Sequence, residues 1–516
     1  MNTAEAIARP ERQAQIEVGV VLTSIFIIAT CGLIYELIIG TLSSYLLGDS
    51  IFQFSLTIGF FLSAMGVGSF LSRAVRRHLL PTFLAVEIAI GLIGGFSAAG
   101  LFGAFALFPH SYIIIMLATI VVLGVLIGLE IPVLTRLANR YGSLRNTLSN
   151  VLAFDYLGAL AASLLFPLVL LPYLGLSKTS FLVGMFNLLV VGLNLRVFGL
   201  GLPRARWTLA ATVAALALLV AGFVQSANLT SLFEHRLYED QIIYSEQSRY
   251  QRIVVTRRLD IVQLFLDNEL QFSSRDEYRY HEALAHPALS LAPARENVLI
   301  IGGGDGLAMR EVLKYPDVQH ATLVDLDPSM TRLGQTFGPI VALNGGALND
   351  PRVTVVNADG FQYLTNSRDL FQVIVVDLPD PRNESVGRLY SREFYSLIQQ
   401  HLARGGLFVT QASSPYYVRQ SFWCIAHTAQ AAGLQVLPYQ AYVPAFGEWG
   451  FVLGSNLKID WSRLAVRVPT RFLDSQMTAG MPVFDADTSE VPTDVSTLEN
   501  PAVVRYYLEG WKHWRN

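Results

Sequence analysis

Seven apolar runs fill the first 225 positions of this chain, at roughly 18–40, 51–71, 80–105, 112–134, 151–172, 179–198 and 207–225. Each approaches the ~20 residues that cross a bilayer as a helix. A backbone in hydrocarbon must satisfy its own hydrogen bonds, so such runs are expected to form a helical multi-pass bundle of about seven spans. A cleaved leader does not fit. The first run is long, follows a polar stretch with both charges, and is one of many. Composition supports the same split. At 52% hydrophobic and 15% charged the chain is too apolar for an ordinary soluble enzyme, and the excess lies before residue 226. The last third is polar enough for water. A net charge of −3 leaves no basic footprint for nucleic acid. Two cysteines, Cys31 in a span and Cys424 beyond them, do not make a disulfide framework.

Four carboxylates stand inside the spans: Glu36, Glu87, Glu130 and Asp155. Intramembrane carboxylates are expensive and face a protein interior or cavity. One reading is a path for cations. The bland one is pairing between helices or snorkelling at span ends, which suits Glu130, close before Pro132. Arginines cluster in alternate loops: Arg73, Arg76 and Arg77; Arg136, Arg140 and Arg145; Arg196, Arg204 and Arg206. Lys and Arg favour the cytoplasmic side, so seven spans put the N-terminus inside and everything after the spans outside.

Residues 298–306 read Val-Leu-Ile-Ile-Gly-Gly-Gly-Asp-Gly. An apolar strand runs into a glycine turn and then into a helix from Leu307. Glycine permits left-handed angles and close approach to a ligand. A loop that cradles phosphate would avoid a negative charge, so Asp305 argues for a ligand with a positive end. Three further strands, 321–324, 353–356 and 373–376, lead into Asp325, Asn357-Ala358-Asp359-Gly360 and Asp377-Leu378-Pro379-Asp380-Pro381. An acidic residue twenty positions past Asp305 commonly holds ribose hydroxyls, and Asp359 suits an adenine amino group. One such aspartate would be read as a helix cap. Several at successive strand ends point to a nucleoside site on a doubly wound α/β sheet.

These residues bring a family into view. Residues 238–455 resemble the spermidine synthases, the polyamine aminopropyltransferases. The matching runs are Arg249-Tyr250-Gln251, Gln271 followed by Arg275-Asp276-Glu277-Tyr278-Arg279-Tyr280-His281-Glu282, the loop Gly302-Gly303-Gly304-Asp305-Gly306 with Arg310-Glu311-Val312-Leu313-Lys314, then Asp325-Leu326-Asp327, Asp359-Gly360 and Asp377-x-x-Asp380-Pro381. The apolar half looks like the membrane-embedded branch of that family.

The resemblance implies transfer of an aminopropyl group from decarboxylated S-adenosylmethionine to an amine, putrescine first, with release of 5′-methylthioadenosine. It implies no prosthetic group and no metal. Ordinary S-adenosylmethionine ends in a carboxylate and an amine, the decarboxylated donor only in an ammonium. Asp305 repels the first and pairs with the second. By resemblance Gln251 and His281 line the aminopropyl end, Gly302, Gly304 and Gly360 shape the donor site, Asp325 holds the ribose and Asp359 the adenine. Asp377 is the expected general base with Tyr280 as its hydrogen-bonding helper. Asp380, Gln271 and Phe446 are the expected acceptor residues, although Asp380 before Pro381 also reads as a plain turn. Two departures touch the acceptor end. Leu378 and Pro379 stand where soluble members carry serines, and 444–451 replaces their Pro-Thr-Tyr-Pro-Ser-Gly, with Phe446 in the tyrosine's place.

The expected organisation is an N-terminal segment 1–17, a transmembrane domain 18–226, a small β-domain 233–290, a Rossmann-like, methyltransferase-like catalytic domain 291–484, and a polar linker with a C-terminal helix over 485–516. That helix has two readings, on a membrane surface or in the core. The expected partners are the amine, the lipid bilayer and a second copy in a homodimer, with no nucleic acid. The expected location is the inner membrane. Because the donor is made in the cytosol, a cytoplasmic catalytic domain is expected against the arginine pattern. The competing functions are an S-adenosylmethionine-dependent methyltransferase, against which Asp305 and the Asp377/Asp380 pair speak, and a polyamine transporter or sensor.

Overall fold

The computed structural model describes residues 11–47, 50–138, 144–198, 205–238 and 240–514. The chain divides into two compact units, Met1–Asp240 and Gln241–Asn516.

The first unit is helical: α1 (Glu11–Leu47), α2 (Ser50–Leu71), α3 (Leu79–Leu107), α4 (Tyr112–Ala138), α5 (Leu144–Leu165), α6 (Leu171–Phe198) and α7 (Ala205–Leu237). Six continuous stretches are long and apolar enough to cross a membrane. The expected runs 151–172 and 179–198 share one of them, the 51-residue stretch Leu148–Phe198. A π-helical turn at Phe166–Leu170 joins α5 to α6, and Gly175, at φ +71°, breaks the helical path. Glycines let helices approach backbone to backbone. A Cβ at Gly68 of α2 would fall 2.1 Å from the Val125 carbonyl oxygen of α4, and one at Gly128 would fall 2.1 Å from that of Met65.

Glu130 does not snorkel. It is 1% exposed, and its carboxyl group lies against that of Glu87. Glu87 is equally buried and accepts from Asn187 Nδ2 at 2.9 Å, while Tyr35 donates to Asn187 Oδ1 at 3.1 Å. Glu36 and Asp155 are half-buried. Arg136 donates to the carbonyls of Ser72 and Val75 at 2.8 and 2.9 Å, and so ties the end of α4 to the turn after α2. Arg140 and Arg204 lie outside the described residues.

The second unit opens with an antiparallel sheet, β1 (Gln241–Gln247), β2 (Arg252–Arg258), β3 (Ile261–Leu266) and β4 (Glu269–Ser273), paired in chain order. The β3–β4 turn is Asp267-Asn268, both at positive φ, as a tight two-residue hairpin requires. Next come α8 (Glu277–Leu291), β5 (Asn297–Gly302), α9 (Leu307–Val312), β6 (His320–Asp325), β7 (Val353–Asn357), β8 (Phe371–Asp377), β9 (Leu402–Gln411), β10 (Gln435–Val443) and β11 (Gly447–Ser455). The sheet order is β10-β11-β9-β8-β5-β6-β7, and only β11 runs against the others. Alternation along the central strands feeds two cores. Val298, Ile300, Val373 and Val375 pack with α8 and α9. Leu299, Ile301, Ile374 and Val376 pack with helices Arg392–His401, Arg419–Ala431 and Ala502–Lys512.

The stretch 485–500, expected to be a linker, is instead strapped down. Trp423 Nε1 donates to the Thr488 carbonyl at 2.9 Å, Arg419 Nε to that of Ser489 at 2.7 Å, and the Arg392 amide to that of Ser496 at 2.9 Å. The C-terminal helix takes the core option: Val503, Val504 and Tyr507 are buried.

One glycine decides how β5 ends. Gly302 sits at φ +83°, and a Cβ there would lie 2.0 Å from the Asp377 carbonyl oxygen. Gly302→Ala is expected to destabilise the second unit by about 2 kcal/mol or more, from backbone strain with the clash added. The readout is the denaturation midpoint of tryptophan fluorescence. An unchanged midpoint would show that the loop has room for a side chain.

Candidate active site

The strand order reverses beside β5. β6 and β7 lie to one side of it, and β8, the next strand in the chain, returns to the other. Helical connections on opposite faces leave a crevice at such a point, beyond the carboxyl ends of the strands. Gly302 and Asp377 are register partners there. The Gly303 amide donates to the Asp377 carbonyl at 3.0 Å, which turns the loop back over β8. The Gly304 amide then donates to Asp325 Oδ2 at 3.0 Å, and a Cβ on Gly304 would stand 2.7 Å from that oxygen. Asp325 Oδ1 accepts from the Asp327 amide at 2.8 Å. Burial pushes the Asp325 carboxyl up to about 7, with these two amides acting in the opposite sense.

Helix α8 delivers the next layer. Tyr280 donates its hydroxyl to Asp377 Oδ1 at 2.7 Å. Burial raises the Asp377 carboxyl above its ordinary range, against the pull of His281 and the Tyr280 hydrogen bond. His281 Nδ1 lies 3.0 Å from Glu277 Oε2 and 2.8 Å from the Glu277 carbonyl. Glu277 is gripped in turn by Arg310, at 2.9 Å from each guanidinium terminus. Burial alone would lower the imidazole, but the hydrogen bond and charge of Glu277 outweigh it and lift His281 to about 9. The Glu277 carboxylate thus favours the protonated ring, with Nδ1 facing it. Asp305 turns Oδ1 onto the Leu307 amide at 2.8 Å, at the start of α9. Burial raises it to about 6 against the attraction of His281.

The rim holds Asp380. Its Oδ1 accepts from Ser413 Oγ at 2.6 Å and faces Gln411 Nε2 at 3.4 Å. Its Oδ2 accepts from the hydroxyl of Tyr507 at 3.0 Å. Burial lifts this carboxyl to about 6, with the Ser413 and Tyr507 hydrogen bonds opposing. The Phe446 ring stands edge-on to Tyr280 at 6.4 Å and lies 5.0 Å from Trp449. Trp449 Nε1 is buried with no partner among the described residues.

Gly302, Gly304, Asp305, Asp325, Asp377, Tyr280, His281, Asp380 and Phe446 thus lie in one neighbourhood of the strand ends and α8. Three expected residues already have protein partners of their own. Gln251 donates to Asp327 Oδ2 at 3.1 Å. Gln271 donates to the Glu269 carbonyl at 3.1 Å, within its own strand. Asp359 caps the helix Gly360–Asn366 through the Gln362 amide at 3.0 Å and ion-pairs with Arg388, so both its oxygens have protein partners. Gly360 is needed for packing, since a Cβ there would meet Ile301 at 2.6 Å. Glu277, Gln411, Ser413 and Tyr507 complete the neighbourhood without having been expected. Glu277 was readable one helical turn before His281, and polar Gln411 ends a strand with polar Ser413 just beyond it. Tyr507 lies 127 positions from Asp380 and had no local signal.

Comparison with known proteins agrees with this arrangement. The Spermine/spermidine synthase domain matches residues 277–461. Over 507 residues the chain is 49% identical to Polyamine aminopropyltransferase 2 of Ralstonia nicotianae, across 96% of this chain and 98% of that one. It is 44% identical over 488 residues to the Polyamine aminopropyltransferase of Leptospira interrogans, across 95% and 98% of the two chains. With that of Mycobacterium tuberculosis it shares 40% identity over 520 residues, across 96% of each. Similarity of this extent takes in the helical unit as well as the sheet with its glycine turn, and this chain belongs to the polyamine aminopropyltransferases of the spermine/spermidine synthase family.

Proposed function

We propose that this protein transfers the aminopropyl group of decarboxylated S-adenosylmethionine to putrescine, giving spermidine and 5′-methylthioadenosine. The observation that carries the reading is the set of carboxylates at the carboxyl ends of the central strands: Asp305, buried, and Asp377 and Asp380, half-buried, beside Tyr280. A buried carboxylate resists ionisation until a cation arrives to pair with it. Both substrates bring cations, the donor a sulfonium and a terminal ammonium, the acceptor two ammoniums.

In this reading the donor ribose meets Asp325 and its ammonium meets Asp305. The acceptor amine has a pKa of roughly 10, so it arrives protonated and cannot attack. Asp377, held by Tyr280, takes that proton. The freed nitrogen pair attacks the methylene next to sulfur, the carbon–sulfur bond breaks, and its electron pair stays on sulfur. The sulfonium becomes a neutral thioether, so the leaving group needs no acid. Alignment of nitrogen, methylene and sulfur supplies much of the acceleration. Asp380 holds the far ammonium.

The helical unit supports a multi-pass membrane anchor. Large apolar side chains such as Ile114, Trp207 and Val224 face outward from helices of spanning length. The cytosolic origin of the donor favours an inner-membrane protein with its catalytic unit in the cytoplasm. A C-terminal reporter active only in the cytoplasm is expected to light up. Signal only from a reporter that matures outside would reverse the orientation.

Asp377→Asn is expected to cut turnover by about 10²-fold or more while 5′-methylthioadenosine still binds. Near wild-type turnover would remove Asp377 from the role of base. Asp305→Asn should weaken the decarboxylated donor more than 5′-methylthioadenosine, which lacks the ammonium. Calorimetry on both ligands measures this, and equal losses would reduce Asp305 to a loop-shaping role. The same pair tests pH. Only ionised Asp305 pairs with an ammonium, so donor affinity should fall as pH drops through about 6, and that part of the fall should vanish in Asp305→Asn.

A further inference from the structure

The matched family domain ends at residue 461, yet a side chain from far beyond it reaches the rim of the site. We propose that Tyr507, on the C-terminal helix Ala502–Lys512, is a positioning residue for the acceptor amine: its phenol holds Asp380 in the orientation that receives the distal ammonium. This inference rests on the acceptor role of Asp380 proposed above.

The two oxygens of Asp380 are divided between elements. Oδ1 is taken by Gln411, the last residue of β9, and by Ser413 just beyond it. Oδ2 accepts from Tyr507 at 3.0 Å. A carboxylate oxygen offers two lone pairs, so Oδ2 keeps one direction for a ligand once Tyr507 has fixed the plane of the group. Burial, with the charge of Asp380 close by, raises the Tyr507 phenol well above its ordinary value, so it remains a proton donor throughout the working range.

The placement of Tyr507 uses many contacts that do not need its hydroxyl. The strap 485–500 is fastened to helix Arg419–Ala431 through Thr488, Ser489 and Asp494. Val504 fills the notch above Gly387, where a Cβ would lie 2.3 Å from it. Gly510 lets the helix close on Val418, and Trp511 stacks on Tyr417 at 5.4 Å. These contacts hold the helix. Apart from its contact with the neighbouring Trp511 indole, the hydroxyl adds only the bond to Asp380, so its removal separates positioning from folding.

The bond also bears on charge. Burial raises Asp380, and Ser413 and Tyr507 hold it down. Glu269 on β4, Tyr280 on α8 and Tyr390 face it as well, and Glu269 is paired with Arg382. Without the Tyr507 phenol, Asp380 should take up a proton at higher pH, and a neutral acid binds ammonium poorly.

The test uses the full chain in detergent, with putrescine as acceptor. In Tyr507→Phe the ring packing stays and the hydroxyl goes. The expected result is a rise of about tenfold or more in KM for putrescine, the scale of a hydrogen bond to a charged group. Binding of 5′-methylthioadenosine should be unchanged, and the acidic limb of kcat/KM for the acceptor should move to higher pH. Asp380→Asn, run in parallel, should raise the same KM. If Asp380→Asn does so and Tyr507→Phe changes neither KM nor the acidic limb, the inference fails and the acceptor reading stands. If Asp380→Asn has no effect on KM, the acceptor reading itself fails and takes the inference with it. Val504→Ala loosens the helix at the Gly387 notch but keeps the phenol, and should leave the acidic limb in place. A limb displaced as far as in Tyr507→Phe would show that Tyr507 acts through packing alone.

Discussion

The amide of Gly303 donates to the carbonyl of Asp377, and the site hangs from that bond. It forms only because β5 and β8 are neighbours in the sheet while being separated in the chain by β6 and β7. It forces the loop over the end of β8, which requires left-handed backbone at Gly302 and Gly303. It then aims Gly304 at Asp325 and Asp305 at the start of α9. A nucleoside edge and an acidic floor come from one turn, because the peptide groups that close the loop also orient the carboxylates.

Electrostatics sets what the floor accepts. Asp305, Asp325, Asp377 and Asp380 are all raised by burial. The one imidazolium among them, His281, is secured from behind by Glu277, which Arg310 holds in turn. The pocket is therefore reluctantly anionic. A ligand that brings positive charge relieves the cost of burial, and one that brings another carboxylate adds to it. This physical difference separates a decarboxylated donor from its parent, and it resides in the protein before any ligand enters.

Much of this was legible in the chain. Four apolar runs of strand length, each ending in acidic or glycine residues, place a doubly wound sheet and most of its rim, because strand period and turn chemistry are local properties. Helical runs were legible for the same reason, and the gap between 151–172 and 179–198 falls where Gly175, at φ +71°, interrupts the helical path. Asp359 shows the limit of reading residue types. An aspartate before a glycine suits a base edge and a helix cap equally, and Arg388, which pairs with the carboxylate that makes the cap, arrives from 29 positions away. Glu130 takes the buried half of its bland reading and not the snorkelling half, because its distance to a span end says nothing about which neighbour covers it. Tyr507 was invisible because its partner is set by tertiary packing alone.

The strap and its helix also have a consequence for synthesis. Every strand, both cores' central residues and the whole glycine turn are encoded before residue 456. The phenol that meets Asp380 is the contribution of the later helix Ala502–Lys512. During translation the sheet leaves the ribosome well before that helix does, so there is an interval in which the nucleoside half of the crevice is whole while one oxygen of Asp380 still lacks its donor. The order of emergence thus leaves the contacts of Asp325 complete before those of Asp380.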